Sequence, residues 1–173
     1  MEWTRNGLES IGFEGFVPLA TLDRAAAPAE PGVYVVLRES AGPPTFLKAN
    51  AAGHFKSKDP TVPRESLKAA WVDGAAVLYV GKASGGSKGL RGLRTRLDEY
   101  RRHGSGEPVG HWGGRYIWQL ADRDELLVAW MSTAGTDPEA EESRLIVDFT
   151  ARYGARPFAN RKLGKRLAQP TGS

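Results

Sequence analysis

Two charged side chains fall where a helix should bury its apolar face. On a wheel of about 100° per residue, Leu93, Leu97 and Tyr100 make one stripe at i, i+4, i+7. Arg94, Arg101 and Arg102 take the flanks or the opposite side, whereas Arg96 borders the stripe beside Tyr100. An arginine there either snorkels to the edge of the core or is aimed at something negative. In a second helix Leu145, Ile146, Phe149 and Tyr153 form the buried stripe. Glu142 falls in its centre, Glu139 nearer the margin and Glu141 outside. Carboxylates are seldom buried unless paired or metal-bound, because desolvating the charge is expensive. Glu142 therefore either serves the helix N-terminus, which favours negative charge, or requires an arginine or a cation. Ahead of the first helix stands an apolar strand, Val77-Leu78-Tyr79-Val80-Gly81, with Lys82 just beyond it. A tyrosine near a strand end and an inward-facing arginine suggest a site for a phosphate.

Other chemistries compete poorly. The chain has no cysteine, which removes disulfides, thiolate zinc sites and cysteine nucleophiles. The stretch 81–89 is glycine-rich beside a strand, but Gly86 is followed by Ser87-Lys88. That is the wrong order for a phosphate-binding Gly-Lys-Ser/Thr loop. His54, His103 and His111 lack metal-ligand spacing on one face, and no Gly-x-Ser-x-Gly nucleophile elbow occurs.

The elements that must position these groups are legible in part. Gly32-Val33-Tyr34-Val35-Val36-Leu37 is a β-branched and aromatic run bounded by Pro31-Gly32 and by polar residues, hence a strand. Residues 75–81 make a second strand, and a helix from about Leu90 to His103 follows. Asp137-Pro138 is a capping residue followed by proline at the first helical position. This predicts a helix to about Tyr153 with a stop at Gly154. Arg115–Leu120 and Leu126–Met131 read as a hairpin. Residues 38–74, broken by prolines, read as an insertion with a possible strand over Thr45–Lys48 and a short helix over Ser66–Ala70. Residues 1–31 show no clean periodicity, though Phe13, Phe16, Val17, Leu19 and Leu22 could cover an edge of the core.

With 173 residues, the chain suits one domain with a substantial core. No run approaches the roughly 18 to 20 apolar residues of a membrane span, and the first residues lack a signal-peptide core. The expectation is a cytoplasmic protein without a membrane partner. The net charge of +4 favours an anionic partner. Positive charge gathers in 88–102 and 152–166, two clusters that could line a groove for a phosphate backbone or form two solvated faces.

Gly32-Val33-Tyr34, Tyr79-Val80-Gly81, the Arg96 helix, the Glu142 helix and Asn160, taken in that order, resemble the GIY-YIG nuclease family. Leu93-Arg94-Thr95-Arg96-Leu97-Asp98-Glu99-Tyr100 is similar to the helix in the N-terminal domain of the bacterial excision-repair nuclease, where an arginine precedes a tyrosine by four residues. Glu142-Ser143-Arg144-Leu145-Ile146 and Arg156-Pro157-Phe158-Ala159-Asn160 resemble the family's glutamate and closing motifs. The resemblance covers 32–160, followed by a basic tail over 161–173. It departs from the family in the wide separation of Tyr34 from Tyr79 and in the long connection from Tyr79 to Arg96.

The resemblance implies an α/β (α+β) fold with a central three-stranded antiparallel sheet flanked by helices, carrying an extra hairpin and insertion. It also implies hydrolysis of DNA phosphodiesters with one Mg²⁺ or Mn²⁺. Glu142 would hold the metal, and Arg96 would stabilise charge on the phosphoryl oxygens. Tyr34, with Tyr79 nearby, would position and activate water, and Lys82 would help lower a tyrosine pKa that is ordinarily about 10. Tyr100 and Asn160 would support the site, while Arg94, Arg101, Arg102, Arg161 and Lys162 would contact nucleic acid. The alternatives are a non-catalytic nucleic-acid-binding module of the same fold, and an interaction protein that binds its partner through 38–74.

Overall fold

The computed structural model describes residues 1–86 and 91–161. Four antiparallel strands form one sheet in the order β1-β4-β2-β3: β1 (Glu14–Pro18), β2 (Gly32–Leu37), β3 (Val77–Ala83) and β4 (Leu127–Ser132). Four α-helices complete the frame: α1 (Arg5–Ser10), α2 (Arg64–Ala70), α3 (Leu93–Gly104) and α4 (Pro138–Tyr153). The fold is α+β. No helix among the described residues is long and apolar enough to cross a membrane.

All six residues of β2 are buried, because both faces of the sheet are covered. Tyr34 and Val36 point to the side that packs Leu93, Leu97 and Tyr100 of α3. Val33, Val35 and Leu37 point to the side that packs Leu145, Ile146 and Phe149 of α4, with Trp3 and Leu8 from the N-terminal region. Helix α4 starts and stops where its sequence signals predict: the Asp137 carboxylate accepts from the Glu139 N–H, and Gly154 closes the helix at φ 73°.

Three sequence expectations are corrected. The sheet has four strands rather than three, the extra one being β1. Its register against β4 shifts between Gly15 and Val17, and Phe16 adopts φ 53°. That bulge breaks the alternation that marks a strand in sequence. The hairpin over 115–131 does not form. Trp112–Gln119 is instead a pair of 3₁₀ turns kinked at Gly114, and only β4 is a strand. The backbone partners of Trp118 and Gln119 lie in the insertion: the Gln119 carbonyl accepts from the Leu47 N–H and the Trp118 carbonyl from Ala51. Thr45–Lys48 likewise contributes a single bridge, Phe46 to Leu120, rather than a strand.

The insertion is part of the core. Phe46 stacks on Phe158 at 5.8 Å between ring centroids, and Trp71 meets the same ring edge-on. The buried Gln119 side chain accepts from the Val62 N–H and donates to the Leu47 and Val62 carbonyls, tying insertion to core. The predicted helix at 66–70 is present as α2. Helix α3 starts at Leu93 with Gly92 as its N-cap, later than the expected start near Leu90, a residue that itself lies outside the described residues.

Candidate active site

The predicted arginine, glutamate and tyrosines meet at one place. A cleft of about 380 Å³ is lined by Tyr34, Tyr79, Lys82, Arg96 and Glu142, with Arg91 at its rim. Tyr34 comes from β2 and Tyr79 from β3, 6.0 Å apart between ring centroids. Their common orientation follows from strand register, since Tyr34 stands opposite Gly81. The Tyr34 ring lies directly over that glycine, where a Cβ would sit 2.4 Å from Cζ and 2.5 Å from the hydroxyl oxygen. Glycine two residues after Tyr79 is therefore a steric requirement of Tyr34.

Arg96 projects from α3, part-buried. Its Nη1 donates to Glu99 at 3.1 Å and to the Gly110 carbonyl at 3.0 Å. The second contact pins the loop after α3 to the cleft. That loop supplies a residue that motif spacing did not select. His111 is fully buried, with Nε2 2.6 Å from the Tyr34 hydroxyl. Its ring stacks on Tyr100 at 3.6 Å and 5°. Burial, and then the Arg96 charge, hold the His111 pKa well below its ordinary value, so the imidazole is neutral. A neutral ring nitrogen can accept the Tyr34 O–H. No metal-ligand pattern in the sequence could have selected His111, because its partners lie on β2 and α3.

Burial pushes the Tyr34 pKa up to about 12, with Arg96 pulling the other way and Glu142 adding to the rise. Burial also raises Tyr79 and Tyr100 well above 10, with the neighbouring tyrosines adding to the effect. All three are phenols at neutral pH. Lys82 contributes nothing prominent to these shifts, contrary to the expectation from sequence. Its Nζ sits 3.1 Å from Glu139 and 3.4 Å from Glu142. Burial works against its charge, but the two glutamates more than compensate and raise its pKa. The cation acting on Tyr34 is Arg96.

Glu142 has 15% of its side chain exposed. Burial raises its pKa despite the adjacent Lys82 ammonium. A half-buried carboxylate facing an open cleft, with one lysine as its counter-ion, suits a divalent ion held by one carboxylate and waters, in the manner of magnesium. No group of three or more His, Cys, Asp or Glu that could hold an ion as an all-protein cage exists among the described residues.

Two predicted site residues stand behind the cleft. The Tyr100 hydroxyl donates to the Gly114 carbonyl at 2.7 Å, fully buried. Asn160 clamps β3 from the side: its Oδ1 accepts from the Val80 N–H at 2.9 Å and its Nδ2 donates to the Val80 carbonyl at 2.8 Å. Both position the wall and the strand that carry Tyr79. Of the arginines expected to meet nucleic acid, Arg94 donates to the Ala27 carbonyl, Arg101 pairs with Asp98 and Arg102 with Glu107. The charges of Arg101 and Arg102 are paired within the chain, while Arg94 meets a neutral carbonyl. Arg161 is exposed, and Lys162 lies outside the described residues.

No family model matches the chain, and neither a curated protein nor a solved structure does. The functional reading rests on the site alone.

Proposed function

We propose that the chain is a metal-dependent endonuclease of the GIY-YIG type that hydrolyses phosphodiester bonds in DNA. The observation that carries this reading is the convergence of Tyr34, Tyr79, Arg96 and Glu142 on one cleft from four separate elements. A Mg²⁺ or Mn²⁺ on Glu142 would neutralise charge on the phosphate and on the departing oxygen. The remaining roles fall to the chain itself. Arg96, fixed by Glu99 and the Gly110 carbonyl, faces the non-bridging oxygens and stabilises charge that grows there.

Tyr34 keeps its proton at neutral pH and orients the attacking water through its oxygen, with Tyr79 beside it. His111 accepts the Tyr34 O–H and so fixes the phenol oxygen at the cleft, while the attacking water gives its proton to solvent. Water oxygen bonds to phosphorus, the bond to the departing oxygen breaks, and that oxygen takes a proton from solvent. Lys82 keeps the Glu142 carboxylate ionised and oriented.

The test is nicking of supercoiled plasmid and of branched DNA with Mg²⁺ or Mn²⁺. Glu142→Ala and Arg96→Ala should each lose about a hundredfold or more of the rate, the scale for removing one charge-stabilising group. Activity that persists in both variants removes the site assignment. Salt-sensitive binding by the wild type, with no cleavage under either metal, replaces it with the non-catalytic module.

A further inference from the structure

Arg115 is a half-buried cation without a counter-ion among the described residues. No carboxylate among the described residues pairs with it, and its Nε is buried with no hydrogen-bond partner. Among the described residues its one side-chain donation runs from Nη1 to the Trp112 carbonyl at 3.2 Å. The guanidinium lies over the Trp112 ring at 4.4 Å and beside Tyr116 at 5.4 Å. Arg161 approaches the same Tyr116 ring at 5.0 Å, also with no carboxylate partner among the described residues. Two like charges thus share one aromatic ring, and burial and Arg161 together lower the Arg115 pKa. Buried charges are ordinarily paired, because desolvation otherwise goes uncompensated. Three arginines of α3 follow that rule, Arg96 on Glu99, Arg101 on Asp98 and Arg102 on Glu107, whereas the part-buried Arg94 donates to the Ala27 carbonyl.

Neither cation lines the cleft, but each follows a residue anchored to an element that does or that backs it. Arg115 directly follows Gly114, whose carbonyl holds the Tyr100 hydroxyl, and a Cβ on neighbouring Gly113 would lie 3.4 Å from the Tyr79 hydroxyl. Arg161 directly follows Asn160, the clamp on Val80. We propose that Arg115 and Arg161 form one seat for a backbone phosphate of the bound DNA strand, flanking the phosphate that enters the cleft. Trp112 and Tyr116 hold the two guanidinium planes, and the missing counter-ion is the phosphate. A planar fork on an aromatic face suits phosphate better than a flexible ammonium would. The identity of the ligand rests on the nuclease reading; the unpaired, pre-positioned charge does not.

The experiment measures binding of a short labelled DNA duplex by fluorescence anisotropy, in EDTA, across a salt series. Loss of one phosphate contact lowers the slope of log K against log salt by about 0.9. Arg115→Ala and Arg161→Ala should each lower the slope by about that amount and weaken binding roughly tenfold. The double variant should lose little more than either single one, because both residues serve one phosphate. Arg115→Lys keeps the charge but not the fork, so it should retain the slope and lose affinity. Arg5→Ala, which removes an arginine already paired with Glu9, should change neither.

Slopes and affinities equal to wild type in both alanine variants, or additive losses in the double variant, overturn the shared seat; so does a wild type that does not bind DNA. Should Arg115→Ala fail to fold by circular dichroism, the exposed Arg161→Ala and the lysine variant still decide. A wild type that binds with this arginine-dependent slope but cleaves nothing keeps the seat and rejects the nuclease. One that cleaves with unaltered slopes in the variants does the reverse.

Discussion

Gly81→Ala tests the geometry on which the site depends. The added Cβ would stand 2.4 Å from Tyr34 Cζ and 2.5 Å from its hydroxyl oxygen, against an ordinary contact of 3.4–4 Å. Tyr34 would have to retreat by roughly an ångström in a close-packed interior, where even one methylene is felt. It has nowhere to go: its ring packs among Tyr79, Tyr100 and His111, and it is fully buried. The backbone is no obstacle, because Gly81 does not adopt a positive φ. Overpacking of this kind costs about 1–3 kcal/mol. Displacing the Tyr34 hydroxyl from His111 adds about 1–3 kcal/mol for an unsatisfied buried group.

Urea denaturation should therefore show a loss of about 2–6 kcal/mol for the alanine variant, and nicking of plasmid DNA should fall with it. A double-mutant cycle isolates the cause. Tyr34→Ala alone should cost about 3–5 kcal/mol, the scale for removing a buried aromatic ring. In that background Gly81→Ala should be neutral to within about 0.5 kcal/mol. A small loss in the wild-type background, or the same loss in both backgrounds, would refute the argument that Tyr34 dictates the glycine.

Two further predictions concern stability. Burial holds the His103 pKa at about 4, against an ordinary 6.5. Between those values the unfolded chain takes up a proton that the folded protein refuses, so His103 makes stability fall as pH drops from 6.5 to 4. His103→Leu should flatten that decline in the urea midpoint, and equal slopes in the two proteins would dismiss the assignment. Asp122→Ala strands Arg38, which is 8% exposed and bonded to Asp122 at 2.6 Å. The loss should be about 3 kcal/mol, the lower end of the range for breaking a buried pair, because Asp122 is itself 21% exposed. Arg38→Met combined with Asp122→Leu should recover most of it, and a double variant as unstable as the single one counts against a charge effect.

Local pattern carried a large part of this protein. The apolar run at 32–37 and the cap and stop of α4 depend on neighbours a few residues apart, and each lies where its sequence places it, while the strand expected over 75–81 forms two residues later, as Val77–Ala83, and includes Lys82. The same short-range periodicity set Arg96 and Glu142 against apolar stripes, and both line the cleft. The misses share another cause. Tyr116–Leu120 has the composition of a strand, yet its hydrogen-bond partners sit in an insertion some 70 residues away, as in Gln119 to Leu47. Tertiary contact overrides propensity there. In β1 a bulge with positive φ at Phe16 removed the alternation that would have revealed it.

The residues by themselves thus determined which side chains are chemically competent and which helix faces carry them, because helical geometry is fixed within four residues. Only the tertiary structure decided what those side chains meet. It placed His111 on a tyrosine 77 positions away, turned Lys82 from the tyrosines to the glutamates, and left Arg115 half-buried, its Nε buried and unbonded, with no carboxylate partner among the described residues. Such pairings depend on desolvation and on contacts between distant segments, which no local spacing encodes.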